Sequence, residues 1–332
     1  MNDRPPSQAV LTIASEQLEV GLLPGKGADV YSYVDRATGI DVLFKTPWGW
    51  HDPALLMPGP DSEADWLARY AGGWQMLLPN AGPPRMQDGA LLGYHGEAAV
   101  RAWDVLHRER DSAMLAVDLL TVPVRIERTI RVTGPRLDVR DAVRNVSPDP
   151  VQVRWVQHPA FGAPFVDGDT RLDSSARTFL TDSRIPGTGV LADALTAFPL
   201  LPTATGGEDL RRIPGWTEPR AVFGAFTDFA EVESAWFSLT SPNAGFGVRL
   251  EWNTEIFPHA WFWQECHASP GFPWFRRAYV VAVEPANVLP GEGPAGALMR
   301  GAGPLLAAGQ QLVAELSLTR YPLRAGVAPM SD

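Results

Sequence analysis

The run Val280-Val281-Ala282-Val283 ends in Glu284 and is followed at once by Pro285. A strand apolar at every position is normally buried on both faces, so a glutamate at its end sits against a dry wall. Desolvation raises a carboxylate's pKa. A following proline biases the residue before it toward extended backbone, which fixes where the side chain points. A stiffly held, partly desolvated carboxylate is what general-base chemistry requires. The plainer reading is a strand that stops at a solvated residue. His158 has the same setting, ending a strand just ahead of Pro159, and an imidazole gives or takes a proton near neutrality. His95 lies between Gly93 and Gly96, which permit close approach to a ligand or simply a turn. Taken singly, each histidine reads as a structural residue. The shared setting of His158 and Glu284 sets that pair apart.

Other residues offer competing chemistry. Glu265, beside Gln264 and Cys266, is a rival carboxylate, but it lacks the apolar run and the proline. His95, Glu97, His158, His259 and His267 contain no H-x-x-x-H or H-E-x-x-H spacing, so no metal site is expected. Cys266 is a lone thiol without a motif and reads as inert. The run Gly291-Glu292-Gly293-Pro294-Ala295-Gly296 has glycines for a phosphate loop but no convincing helix start after it.

The elements that must carry these groups read as antiparallel strands. Leu137, Val139 and Val143 alternate with Asp138, Arg140 and Arg144, the period of a half-buried strand. That strand follows another over residues 125 to 132, with Gly134-Pro135 between them, and a further strand runs from Val151 to Gln157. Residues 236 to 240 and 246 to 252 flank Ser241-Pro242-Asn243-Ala244-Gly245, a hairpin with a five-residue loop. One helix is expected over Asp61 to Tyr70, with Ser62 as N-cap and Gly72-Gly73 as stop. Pro202 to Trp216 reads as a long surface loop. Large size, no repeat and no composition step predict one all-β domain over residues 1–332, a large β-sandwich ordered over about residues 10–325.

Composition agrees with that class. The 332 residues hold 31 Gly, 31 Pro and 12 Trp, turn residues enough for many short strands. A net charge of −10 argues against a nucleic-acid partner, which calls for clustered Lys and Arg. A single cysteine excludes an internal disulfide, and the opening Met1 to Pro6 lacks the apolar core of a signal peptide. No uncharged run is long enough to span a bilayer. A cytoplasmic protein without membrane contact, monomer or homodimer, is the expectation.

Four motifs in order carry a resemblance. Gly72-Gly73-Trp74-Gln75 with Pro79-Asn80-Ala81-Gly82, then His95-Gly96-Glu97, then His158-Pro159 with Phe161-Gly162, then Val283-Glu284-Pro285 resemble the aldose 1-epimerase (galactose mutarotase) family over nearly the whole chain. Phe257 to Glu265 also resembles that family's strand preceding the one with the catalytic glutamate. The resemblance implies a β-supersandwich with an open sugar cleft. It implies that Glu284 is the base at the anomeric hydroxyl and His158 the acid at the ring oxygen, on opposite sides of the sugar, with His95 orienting the ring oxygen and C1 region. Interconversion of α and β anomers follows, with no cofactor. Substrate contacts are expected from Arg85 as hydroxyl clamp, Trp263 as stacking platform, and Gln264. Arg101 lies six positions after His95, where relatives acting on phosphorylated sugars carry an arginine at tighter spacing. The family's aspartate for distal hydroxyls has no clear match, and Asp182 and Asp228 are stand-ins. A hexose-6-phosphate epimerase and a non-catalytic carbohydrate-binding protein are the alternatives on the same scaffold.

Overall fold

The computed structural model describes residues 9–57, 59–229, 234–290 and 304–323. The Gly291 to Gly296 run lies outside them. Two large antiparallel sheets dominate, one of ten strands and one of eight. They close on a common apolar core, to which Ile13, Phe161 and Val283 come from one sheet and Ile126, Leu250 and Leu316 from the other. The expected all-β supersandwich is what forms. No helix among the described residues is long and apolar enough to cross a membrane.

The ten-stranded sheet carries the chemistry. Its central strands, in spatial order, are Asp29–Asp35, Trp74–Leu77, Val156–Gly162, Tyr279–Ala286, His259–Cys266 and Arg220–Thr227. The Tyr279–Ala286 strand is buried at every residue. Val281 and Val283 face the inter-sheet core, while Val280, Ala282 and Ala286 belong to a second apolar cluster on the opposite face. That cluster is why the run is continuously apolar. It includes Trp66, Leu67 and Tyr70, brought over the sheet by the helix Ser62–Arg69.

Local details revise the sequence reading. The helix cap is Asp61, whose Oδ1 accepts the Ala64 N–H at 2.8 Å, so Ser62 is the first helical residue. Tyr70 ends the helix in extended backbone. Gly72 and Gly73 serve close packing instead: both have positive φ, and a Cβ would stand 2.1 Å from the Phe44 carbonyl oxygen at one and 2.5 Å from that of Val30 at the other. The expected strand over Val151 to Gln157 is broken into Val151–Gln152 and Val156–Gly162. The stretch from Pro202 is no plain loop, since Leu200–Thr203 pairs with Gly206–Asp209. The hairpin loop between Ala235–Ser241 and Phe246–Trp252 is one residue shorter than expected, because Ser241 pairs with Phe246.

Candidate active site

His158 and Glu284 are not at strand ends. His158 is the third residue of Val156–Gly162, and Glu284 lies two residues inside the end of Tyr279–Ala286. The two strands are antiparallel neighbours, with Val156 opposite Ala286 and Ala160 opposite Ala282. The same register sets His158 opposite Glu284, and residues opposite in such a ladder project to one face with Cβ atoms a few ångströms apart. Pro159 and Pro285 cannot donate to this stretch of ladder.

The side chains meet as the register requires, His158 Nε2 standing 3.5 Å from Glu284 Oε1. They are neighbours on one wall, not partners on opposite sides of a sugar-sized gap. Their side chains are only 6% and 4% exposed. Burial pushes Glu284 up to about 8. Burial likewise pushes His158 down to about 4, partly opposed by its own main chain and assisted by the Lys26 ammonium. At neutral pH the pair therefore holds a single titrating proton beyond the neutral ring's own N–H, and that proton rests on Glu284. This resting placement is the reverse of a carboxylate base beside an imidazolium acid.

His95 completes the group. It has φ of 58°, and Gly96 follows at φ 78°, where a Cβ would lie 2.5 Å from the Leu78 carbonyl oxygen. This kink turns the His95 ring to within 6.1 Å of the His158 ring, centre to centre. The Gly82 N–H donates to His95 Nδ1 at 3.1 Å, which leaves Nε2 as the protonated nitrogen of a neutral ring. Burial and the nearby His158 hold its pKa well below the usual range, so it stays neutral.

The cleft over these groups has a volume of about 710 Å³ and is walled by aromatic rings, among them Trp66, Tyr70, Tyr94, Trp261, Trp263 and Trp274. Trp66 and Tyr70 stack with centroids 4.7 Å apart. Trp66 meets His95 at 4.6 Å, and Tyr70 meets His158 at 5.8 Å. Trp263 lies 5.7 Å from His158 and 5.1 Å from Trp274, in the wall expected of a platform. Trp66 and Tyr70 were readable as an i, i+4 aromatic pair on the one expected helix.

Three expected contacts are elsewhere. Arg85 does not line the cleft; its Nε donates to Asn80 Oδ1 at 3.0 Å. Arg101 pairs with Glu97 at 3.0 Å, also outside the cleft. Gln264 alternates with Trp263 along its strand, so its amide points to the inter-sheet side and is absent from the cleft wall. Position in the chain suggested these residues, and a nearby amide (Arg85), a nearby acid (Arg101) or strand alternation (Gln264) took them away. Asp182 does line the cleft, but its Oδ1 accepts the N–H groups of Arg184 and Ile185. Asp228 pairs with Arg177 at 3.2 Å. The rival Glu265 accepts from Ala268 N, Ser269 N and Ser269 Oγ, holding the following turn. Burial pushes the Cys266 thiol up to about 12, consistent with an inert residue. Among the described residues no three His, Cys, Asp or Glu side chains cluster as a metal centre would need.

Solved structures share this architecture. A protein from Synechocystis sp. PCC 6803, Slr1438, matches with a TM-score of 0.68 at 15% identity, over 95% of this chain and 96% of its own. A galactose mutarotase-like protein from Lactobacillus casei matches with a TM-score of 0.65 at 17% identity, over 94% and 100%. A GalM/aldose epimerase homologue from C. elegans matches with a TM-score of 0.61 at 15% identity, over 95% and 99%. No curated protein matches the sequence. The fold is thus that of the galactose mutarotase-like proteins. Within that class, the chain belongs to the family described as domain of unknown function (DUF4432), which matches residues 6–319.

Proposed function

We propose that this chain is an aldose 1-epimerase. The observation that carries the reading is the His158–Glu284 contact, a single-proton acid/base pair on the wall of an aromatic cleft. Anomer exchange requires one proton to leave the O1 hydroxyl and one to reach the ring oxygen O5. Both oxygens hang on C1, so the groups that serve them must be neighbours. One member of the pair takes the O1 proton while the other gives its proton to O5. The C1–O5 bond breaks and the open-chain aldehyde forms. Rotation about C1–C2 and the reverse transfers then close the ring on the other face.

The resemblance assigns the base to Glu284 and the acid to His158. Starting from the resting state, that assignment needs the proton to cross from Glu284 to His158 as sugar binds, and the 3.5 Å contact supplies the path. The His95 Nε2–H is a fixed neutral donor beside them, suited to a ring or anomeric oxygen. Trp263 and its neighbours offer apolar faces for the C–H faces of a pyranose.

Two-dimensional exchange NMR across common aldoses tests the proposal. Accelerated exchange of α and β signals for at least one free aldose is the expected result. No acceleration for any aldose, phosphorylated ones included, would remove the reading.

A further inference from the structure

Behind the acid/base pair lies a row of buried polar side chains that anomer exchange as described above does not use. In the Trp74–Leu77 to Val156–Gly162 ladder, Gln75 stands directly opposite His158. On its other side Val30 pairs with Trp74, so the same register sets Asp29 opposite Gln75. Glu284 in turn stands opposite Trp261. Five adjacent strands thus present Asp29, Gln75, His158, Glu284 and Trp261 in one line across one face.

The line is joined at its far end. Lys26 Nζ donates to Asp29 Oδ2 at 2.5 Å, and Gln75 Nε2 donates to the same oxygen at 3.1 Å. Lys26, Asp29 and Gln75 are at most 1% exposed. The amide of Gln75 is therefore oriented: its NH₂ is committed to Asp29, so its Oε1 is the end left for other partners. That Oε1 is buried without a hydrogen bond, and so is Nδ1 of His158 on the facing residue. Two buried, unsatisfied polar atoms on directly opposed residues are unusual in a folded protein. One can only accept. The other donates if it carries the ring proton.

We propose that Gln75 is a positioning residue whose Oε1 takes the Nδ1–H of His158, so that the buried Lys26–Asp29 pair, through Gln75, dictates which ring nitrogen carries the proton. The inference rests on the acid/base reading of the site for its purpose, though not for its test. With the proton held at Nδ1, Nε2 keeps its lone pair toward the Glu284 carboxyl, and the resting pair is Glu284 O–H against His158 Nε2. When His158 accepts that proton, Nδ1–H becomes a charged donor, and a hydrogen bond from it to Gln75 Oε1 would be of the stronger kind. The Lys26–Asp29 pair is neutral as a unit. It supplies orientation at little cost in net charge.

The tautomer of His158 is the direct test, read on the full-length protein labelled with ¹⁵N-histidine by long-range ¹H–¹⁵N correlation. His158→Asn identifies the signal among the six histidines. His158 should show the Nδ1–H form while His95, whose Nδ1 accepts the Gly82 N–H, shows the opposite form. An Nε2–H form, or an averaged signal, for His158 overturns the proposal without any variant being made. Gln75→Leu should then abolish the fixed tautomer and lower kcat roughly 10-fold or more with KM little changed. Gln75→Glu, which keeps an acceptor oxygen, should recover part of both. An unchanged tautomer in Gln75→Leu overturns the assignment. If the wild-type protein shows the Nδ1–H form yet exchanges no anomers, the epimerase reading fails and the positioning of His158 stands.

Discussion

One proton shared by two buried groups governs the residue scale. Glu284 is pushed up to about 8 and His158 down to about 4, both by burial first. Below about pH 4 the pair holds two protons and contains no base. Above about pH 8 it holds none and contains no acid. The kcat/KM for anomer exchange should therefore be bell-shaped with flanks near these values, measured on the free enzyme. Such flanks belong to the pair and not to either residue alone. A stability consequence follows from the same burial. Glu284 binds a proton more tightly in the folded state than its ordinary value of 4.5, so the unfolded chain releases that proton first as pH rises. Its contribution is thus fully present below about 4.5 and is lost by about 8. Glu284→Gln should gain stability over wild type across that window, by a few kcal/mol at its upper end, because each tenfold change in proton affinity is worth roughly 1.4 kcal/mol. Denaturant titrations at pH 5 and pH 8 check it, with the larger gain expected at pH 8.

At the scale of elements, register does the positioning. Hydrophobic runs and turn residues made the antiparallel strands readable, and the apolar run before Glu284 correctly announced a strand buried on both faces. His158 was singled out with it, but that the two stand side by side across one ladder was not readable, because register between strands 126 positions apart (284 minus 158) leaves no local trace. Gln75, Lys26 and Asp29 were missed for the same reason. Arg85 and Arg101 were misplaced because an arginine's role depends on which acceptor the fold brings near it, here Asn80 and Glu97. The glycine pair at 72 and 73 looked like a helix stop but is a packing requirement. Gly72→Ala would force a methyl into the Phe44 carbonyl at a φ of 94°. It should cost about 1–3 kcal/mol and shift the strand that holds Gln75. Thermal melting reads the first effect and His158 chemical shifts the second.

At the scale of the whole molecule, the sandwich gives the site a rigid wall and the helix gives it a roof. One face of the ten-stranded sheet is spent on the core shared with the eight-stranded sheet. The other is free to carry function, and the Ser62–Arg69 helix with its Trp66–Tyr70 stack dries that face without closing it. Low dielectric around His158 and Glu284 is a property of this whole arrangement. Trp263→Ala, which removes one wall of the cleft, should raise KM for the preferred aldose more than it lowers kcat, as loss of binding shared by ground and transition states does. Initial-rate kinetics in wild type and variant separate the two. The central claim is that the carboxyl of Glu284 moves the proton that opens the sugar ring. Exchange NMR on equal concentrations of wild type and Glu284→Gln, at neutral pH with one responsive aldose, tests it most directly. A loss of roughly 10²–10⁴-fold in the variant with sugar binding retained is the expected result. Equal rates in the two proteins would contradict it.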